Sequence, residues 1–132
     1  MKAVAQKHPM GCGIACVAYI AGVSYKTILK LFPQEYAYTR GYYCRELVKA
    51  LAKFNFVYTY KKVTPKTRKY LKKKNTIVFI APSKRYPAGH YLVSTKKSWM
   101  NPWINYPSMN PAKAGFVNKL PGKPRWVLFP KG

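Results

Sequence analysis

Apolar residues run unbroken from Ile14 to Ala21, and Gly22 ends the run. A segment apolar on every side and stopped by glycine predicts a helix buried all round. Pro9, Gly11 and Gly13 precede it, so Met1 to Met10 reads as a loop and the helix opens near Cys12. After Gly22, Ser24 caps a second helix whose apolar face is Tyr25, Ile28, Leu29 and Phe32, ended by Pro33. From Pro33 to Tyr43 no period holds, and four tyrosines sit in a loop able to line a cleft. Leu47, Ala50, Leu51 and Phe54 then form the stripe of a helix that begins at Cys44, with Lys49 and Lys53 on its exposed side.

The period changes from there. Phe54, Phe56, Tyr58 and Tyr60 alternate as one face of a strand. Thr64 and Pro65 open a short basic helix over TPKTRKYLKKK. Ile77 to Ile80 is a contiguous buried strand, GHYLVST is another, and Lys96-Lys97 turns the chain into SWMNPW. Pro107 to Pro124, rich in Pro, Asn and Gly, reads as coil, and Arg125 to Phe129 as a last strand ended by Pro130. Helices first and strands after predict one α+β domain over residues 1–132, with an antiparallel sheet packed on the first helix.

Charge changes the picture of the surface. Twenty-five Lys and Arg face only Glu35 and Glu46, a net charge of +23. The densest patch is Lys66, Arg68, Lys69, Lys72, Lys73 and Lys74. Such a balance attracts polyanions: nucleic acid, an acidic protein or an anionic membrane surface. An apolar fraction of 48% excludes a disordered chain. No apolar run approaches the ~20 residues of a membrane span, and the interrupted N-terminus does not fit a signal peptide. Three cysteines cannot all pair within one chain, which points to a reducing, cytoplasmic setting or to thiols kept for chemistry. Oligomeric state is not legible.

Cys12 stands at the mouth of the buried helix, where free backbone N–H groups favour a thiolate. Taken alone, the position suits a small buried hydrophobe equally well. Only His8 and His90 are available as a base. If the hairpin turns on Lys96-Lys97, Leu92 lies opposite Asn101 and His90 opposite Trp103. Asn101 then shares a face with His90 as its diagonal neighbour, within reach of a side-chain hydrogen bond. Cysteine as nucleophile, histidine as base and an amide to fix the imidazole tautomer make a thiol-hydrolase triad. Gln6 can donate to an oxyanion beside the Cys12 N–H, and Cys44 reads as structural. No cofactor or metal is required. A zinc site from His8, Cys12, Cys16 and His90 would place the ion in the core.

Here a resemblance becomes specific. Gln6, five intervening residues and Cys12-Gly13-Ile14-Ala15-Cys16 resemble the opening motif of the bacteriocin-processing peptidases. These are papain-like cysteine peptidases that remove double-glycine leader peptides. GHYLV resembles the strand that carries the family's histidine, and Asn101-Pro102 is similar to its Asp-Pro. The resemblance implies Cys12 as nucleophile, Gln6 in the oxyanion hole, His90 as base, Asn101 as its orienter and Cys16 without catalytic role. Two departures stand out: Gly11 where the family carries an acidic residue, and a neutral amide at 101. The expected function is cleavage of a peptide or amide bond. The competing class is a polyanion-binding module, possible on an inactive peptidase fold, supported by the charge and by 12 tyrosines able to stack on bases.

Overall fold

A computed structural model describes residues 2–131. The unbroken apolar run becomes α1 (Cys12–Ala21), capped by Gly22 and buried from Cys12 to Ile20. Each fully buried Ile or Val there contributes roughly 1.5–3 kcal/mol. Ser24 accepts from the N–H of Thr27 and starts α2 (Tyr25–Leu29). The tyrosine-rich segment carries one 3₁₀ turn, Gln34–Ala37. In α3 (Cys44–Ala52), Leu47, Ala50 and Leu51 are buried as the stripe requires. Glu46 accepts from the N–H of Tyr43 at 2.7 Å and pairs with Arg40, so the first turn of α3 is tied to the loop before it.

Six strands follow: β1 (Tyr58–Lys62), β2 (Ile77–Ile80), β3 (His90–Ser94), β4 (Trp99–Asn101), β5 (Gly115–Val117) and β6 (Pro124–Pro130). They form one antiparallel sheet in the order β1-β6-β2-β3-β4-β5, so the last strand is inserted between the first two. On one face, Tyr58, Ile77, Tyr91, Val93 and Leu128 pack with α1 and α3. On the other, Val78, Leu92, Val127 and Phe129 are covered by Leu71, Tyr70 and Leu120 from the connecting segments. Helices gathered on one face of an antiparallel sheet make an α+β, papain-like arrangement.

Three expectations need correction. The first strand begins at Tyr58 rather than Phe54, because Asn55 adopts a left-handed conformation (φ 68°) that breaks the extended chain. The basic helix is a single 3₁₀ turn, Arg68–Tyr70. Six cations repel one another between Lys66 and Lys74. The Thr67 hydroxyl also diverts the backbone, accepting from the N–H of Thr64 and donating to Lys62. The tail predicted as coil contributes β5, which pairs with the free edge of β4. Three residues carry too short an alternation to register as a strand.

Candidate active site

The thiol of Cys12 lies at the first residue of α1, and the residue is only 9% exposed. The loop ahead of it is held from several sides. The N–H of Gly11 donates to the carbonyl of His8, and the N–H of Gln6 to Pro102, just beyond β4. The hydroxyl of Tyr25 bonds Nδ1 of His8 at 2.9 Å and fills the space beside Gly11, so no side chain fits there. The acidic residue that the resemblance places before the nucleophile is excluded by Tyr25.

The helix mouth does not produce a thiolate. N–H groups of Tyr91, Gly13 and Cys12 all favour the anion, yet burial outweighs them and pushes the thiol up to about 11. Desolvation of a sulfur anion is the larger effect when the group is enclosed. Cys16, deep in α1, is driven higher still by the same cause.

His90 opens β3 after Gly89, whose positive φ of 79° and close approach to the Phe79 ring admit no side chain. The hairpin pairs as expected, Val93 with Met100 and Ser94 with Trp99, turning on Lys96-Lys97. Asn101 therefore reaches His90: Nε2 and Oδ1 are 2.8 Å apart. The backbone N–H of Trp103 donates to that same Oδ1 at 3.0 Å, and an N–H can only donate. The oxygen of Asn101 thus faces His90, which must donate from Nε2. Nδ1 is left with the lone pair, and no hydrogen-bond partner occupies it among the described residues. Burial lowers His90 to about 4, against a smaller upward pull from Asn101, and the guanidinium of Arg85 lowers it further. The imidazole is neutral at pH 7, as a base must be.

Tyr86 completes the group, and no local signal in the sequence pointed to it. Its ring lies parallel to that of His90, with centroids 4.0 Å apart. Its hydroxyl accepts from Nδ2 of Asn101 at 3.1 Å and donates to the carbonyl of Trp103 at 2.7 Å. Four residues from two segments thereby satisfy one another in a buried circuit.

Cys12 and His90 line one cleft of about 820 Å³. No hydrogen bond joins them in this conformation, and the backbone N–H of Tyr91, the residue after His90, is among the groups that favour the sulfur anion. An unliganded thiol and imidazole commonly draw together only when substrate binds. The cleft wall includes Tyr42 and Tyr43 from the tyrosine-rich loop, with Tyr60 and Trp126 from the sheet. Cys44, expected to be purely structural, also lines it and lies 3.7 Å from the hydroxyl of Tyr91.

Gln6 is buried but does not line the cleft. Its amide N–H groups donate to the carbonyls of His8 and Pro9, at 2.9 and 3.2 Å, and its Oε1 has no partner. In this conformation it braces the loop ahead of Cys12. Lys66, Arg68, Lys69, Lys72, Lys73 and Lys74 are all exposed, and Leu71 and Tyr70 anchor their segment on the sheet face opposite α1. The Tyr70 ring stacks on Phe129 at 3.8 Å. Lys72 and the Lys96-Lys97 turn border a separate cavity of about 210 Å³. Among the described residues, no three His, Cys, Asp or Glu side chains are grouped to hold a metal ion.

Residues 1–116 match the model of the Peptidase C39 family, a span that takes in every candidate catalytic residue. No curated protein matches the chain.

Proposed function

The chain belongs to the Peptidase C39 family of double-glycine-leader cysteine peptidases, and we propose that Cys12, His90 and Asn101 cleave its peptide substrate. The observation that carries this assignment is the acceptor role of Asn101 Oδ1. Trp103 forces it, and it leaves Nδ1 of His90 as a free base in the cleft that also holds Cys12.

Both partners start neutral. As the sulfur attacks the scissile carbonyl carbon, Nδ1 takes the thiol proton. Negative charge builds on the carbonyl oxygen, and the N–H of Cys12 at the α1 N-terminus receives it. Gln6 joins that hole by releasing one of its two loop carbonyls. The imidazolium, held by Asn101, then protonates the leaving amine. Water attacks the thioester, His90 takes its proton, and the thiol is regenerated.

The substrate is a peptide or protein, and segments ending in two glycines are the first to test because the family is defined by them. Incubation with such peptides, read by mass spectrometry, should show one cleavage. Cys12→Ala and His90→Ala should abolish it while leaving the circular dichroism unchanged. Cleavage that survives in Cys12→Ala would refute the mechanism.

A second partner belongs to the other sheet face. The fold brings Lys72 and Lys96-Lys97 to one cavity, concentrating cations that are separate in sequence, while Glu46, in the first turn of α3, is paired with Arg40. This supports an anionic macromolecule bound away from the cleft. Three unpaired thiols suit a reducing compartment such as the cytoplasm.

A further inference from the structure

We infer that Tyr86 is a positioning residue whose hydroxyl makes position 101 a site for an amide and not for a carboxylate. The inference rests on the mechanism above, in which Asn101 orients His90.

Trp103 contributes one donor, its N–H, and one acceptor, its carbonyl, both buried beside Asn101. The tyrosine hydroxyl has a single proton, and the Trp103 carbonyl takes it at 2.7 Å. Toward residue 101 the hydroxyl can therefore only accept, and Asn101 supplies the matching N–H from Nδ2 at 3.1 Å. An aspartate would put a second acceptor where a donor is needed. Either its outer oxygen or the Trp103 carbonyl would lose its hydrogen bond in a pocket where Tyr86 is only 2% exposed. A buried acceptor left unpaired is the costly case. The ring of the same tyrosine lies flat on His90, so one side chain both stops the imidazole from turning and determines what may hold its far nitrogen.

This explains a neutral orienter in a site built like a carboxylate one. Without the hydroxyl at 86, the Trp103 carbonyl has lost its donor whichever residue stands at 101, and an amide N–H or a carboxylate oxygen there is equally without a partner, so the preference for asparagine that the hydroxyl enforces is lost.

The test is a double-mutant cycle on the full chain with Asn101→Asp, Tyr86→Phe and the pair, the phenylalanine keeping the stacked ring. Next to the native tyrosine, Asn101→Asp should lower kcat about tenfold or more with KM within about twofold. In the Tyr86→Phe background, the same substitution should cost markedly less in kcat than it does beside tyrosine. Urea unfolding should show the same pattern: Asn101→Asp destabilises the native protein more than it destabilises the Tyr86→Phe variant. An equal or larger effect of Asn101→Asp in the Tyr86→Phe background, in either measurement, would overturn the inference. The unfolding cycle needs no substrate. Absence of cleavage with coupling intact would thus count against the peptidase assignment alone, and cleavage without coupling against Tyr86 alone.

Discussion

The hydroxyl of Tyr25 occupies the position from which a side chain on Gly11 would grow. That hydroxyl is anchored by Nδ1 of His8, whose carbonyl in turn holds both the N–H of Gly11 and the amide of Gln6. The loop ahead of Cys12 is thus locked by a contact between the residue before Cys12 and a helix that follows α1.

Gly11→Ala should therefore destabilise the protein by roughly 1–3 kcal/mol, the ordinary cost of forcing atoms into a filled interior. Tyr25→Phe removes the nearest atom but leaves the ring carbon 3.0 Å from the new methyl. The double variant should recover part of the loss. Urea unfolding of the two single variants and the pair would settle it, and strict additivity would show that the two residues do not compete for space.

Gln6 should behave as a residue with two duties. Gln6→Ala removes two hydrogen bonds to loop carbonyls and should lower stability measurably, by about 1–3 kcal/mol. It should also lower kcat by roughly 10²-fold through loss of an oxyanion donor. A stability loss with kcat intact would confine Gln6 to bracing the loop.

The pH dependence follows from burial. His90 titrates at about 4 in the folded chain against an ordinary 6.5, so between those values the unfolded chain binds a proton that the folded chain refuses. Its contribution to stability is complete above about pH 6.5 and is lost as pH falls through 4. For Cys12 the sign reverses: held at about 11 against an ordinary 9.0, it contributes stability below pH 9 that is lost as pH rises through 11. The profile of kcat/KM should rise through about pH 4 and stay level across neutrality. A limb centred near 6.5 would show that His90 is solvated in the working enzyme.

Thiol labelling should depend on the reagent. All three thiols are raised by burial, and Cys44 is the most exposed of them. Iodoacetamide at neutral pH should therefore modify Cys44 at least as fast as Cys12, contrary to what a helix mouth alone would suggest. A peptide carrying a chloromethyl ketone should label Cys12 selectively, and His90→Ala should suppress it. Peptide mapping by mass distinguishes the sites, and selective labelling of Cys44 by the peptide reagent would contradict the assignment of the nucleophile.

Binding to heparin should weaken steeply with salt. Glutamine at Lys69, Lys72 and Lys73, or at Lys96 and Lys97, should flatten the slope of log affinity against log salt by about one for each anionic group no longer neutralised. Peptide cleavage should be unaffected, since these lysines stand apart from the cleft. An unchanged slope would move the anion-binding surface elsewhere on the molecule.

Features that are local or periodic are legible in the sequence alone. Glycine punctuation and an eight-residue apolar run suffice for α1, because a helix buried all round needs no partner of particular identity. A two-lysine turn suffices for the register of β3 and β4, because strand parity propagates residue by residue from the turn; hence Asn101 beside His90. Whatever depends on what comes to cover a group is set by the packing of the whole fold. Tyr86 lies four residues before His90 and fifteen before Asn101 in sequence, and only the closed sheet brings its ring and hydroxyl onto both. The helix position of Cys12 points to a thiolate and burial reverses it, because the N–H groups at a helix mouth are local, whereas desolvation is summed over every segment that encloses the sulfur. Burial is a property of the whole packing, and no window of the sequence contains it.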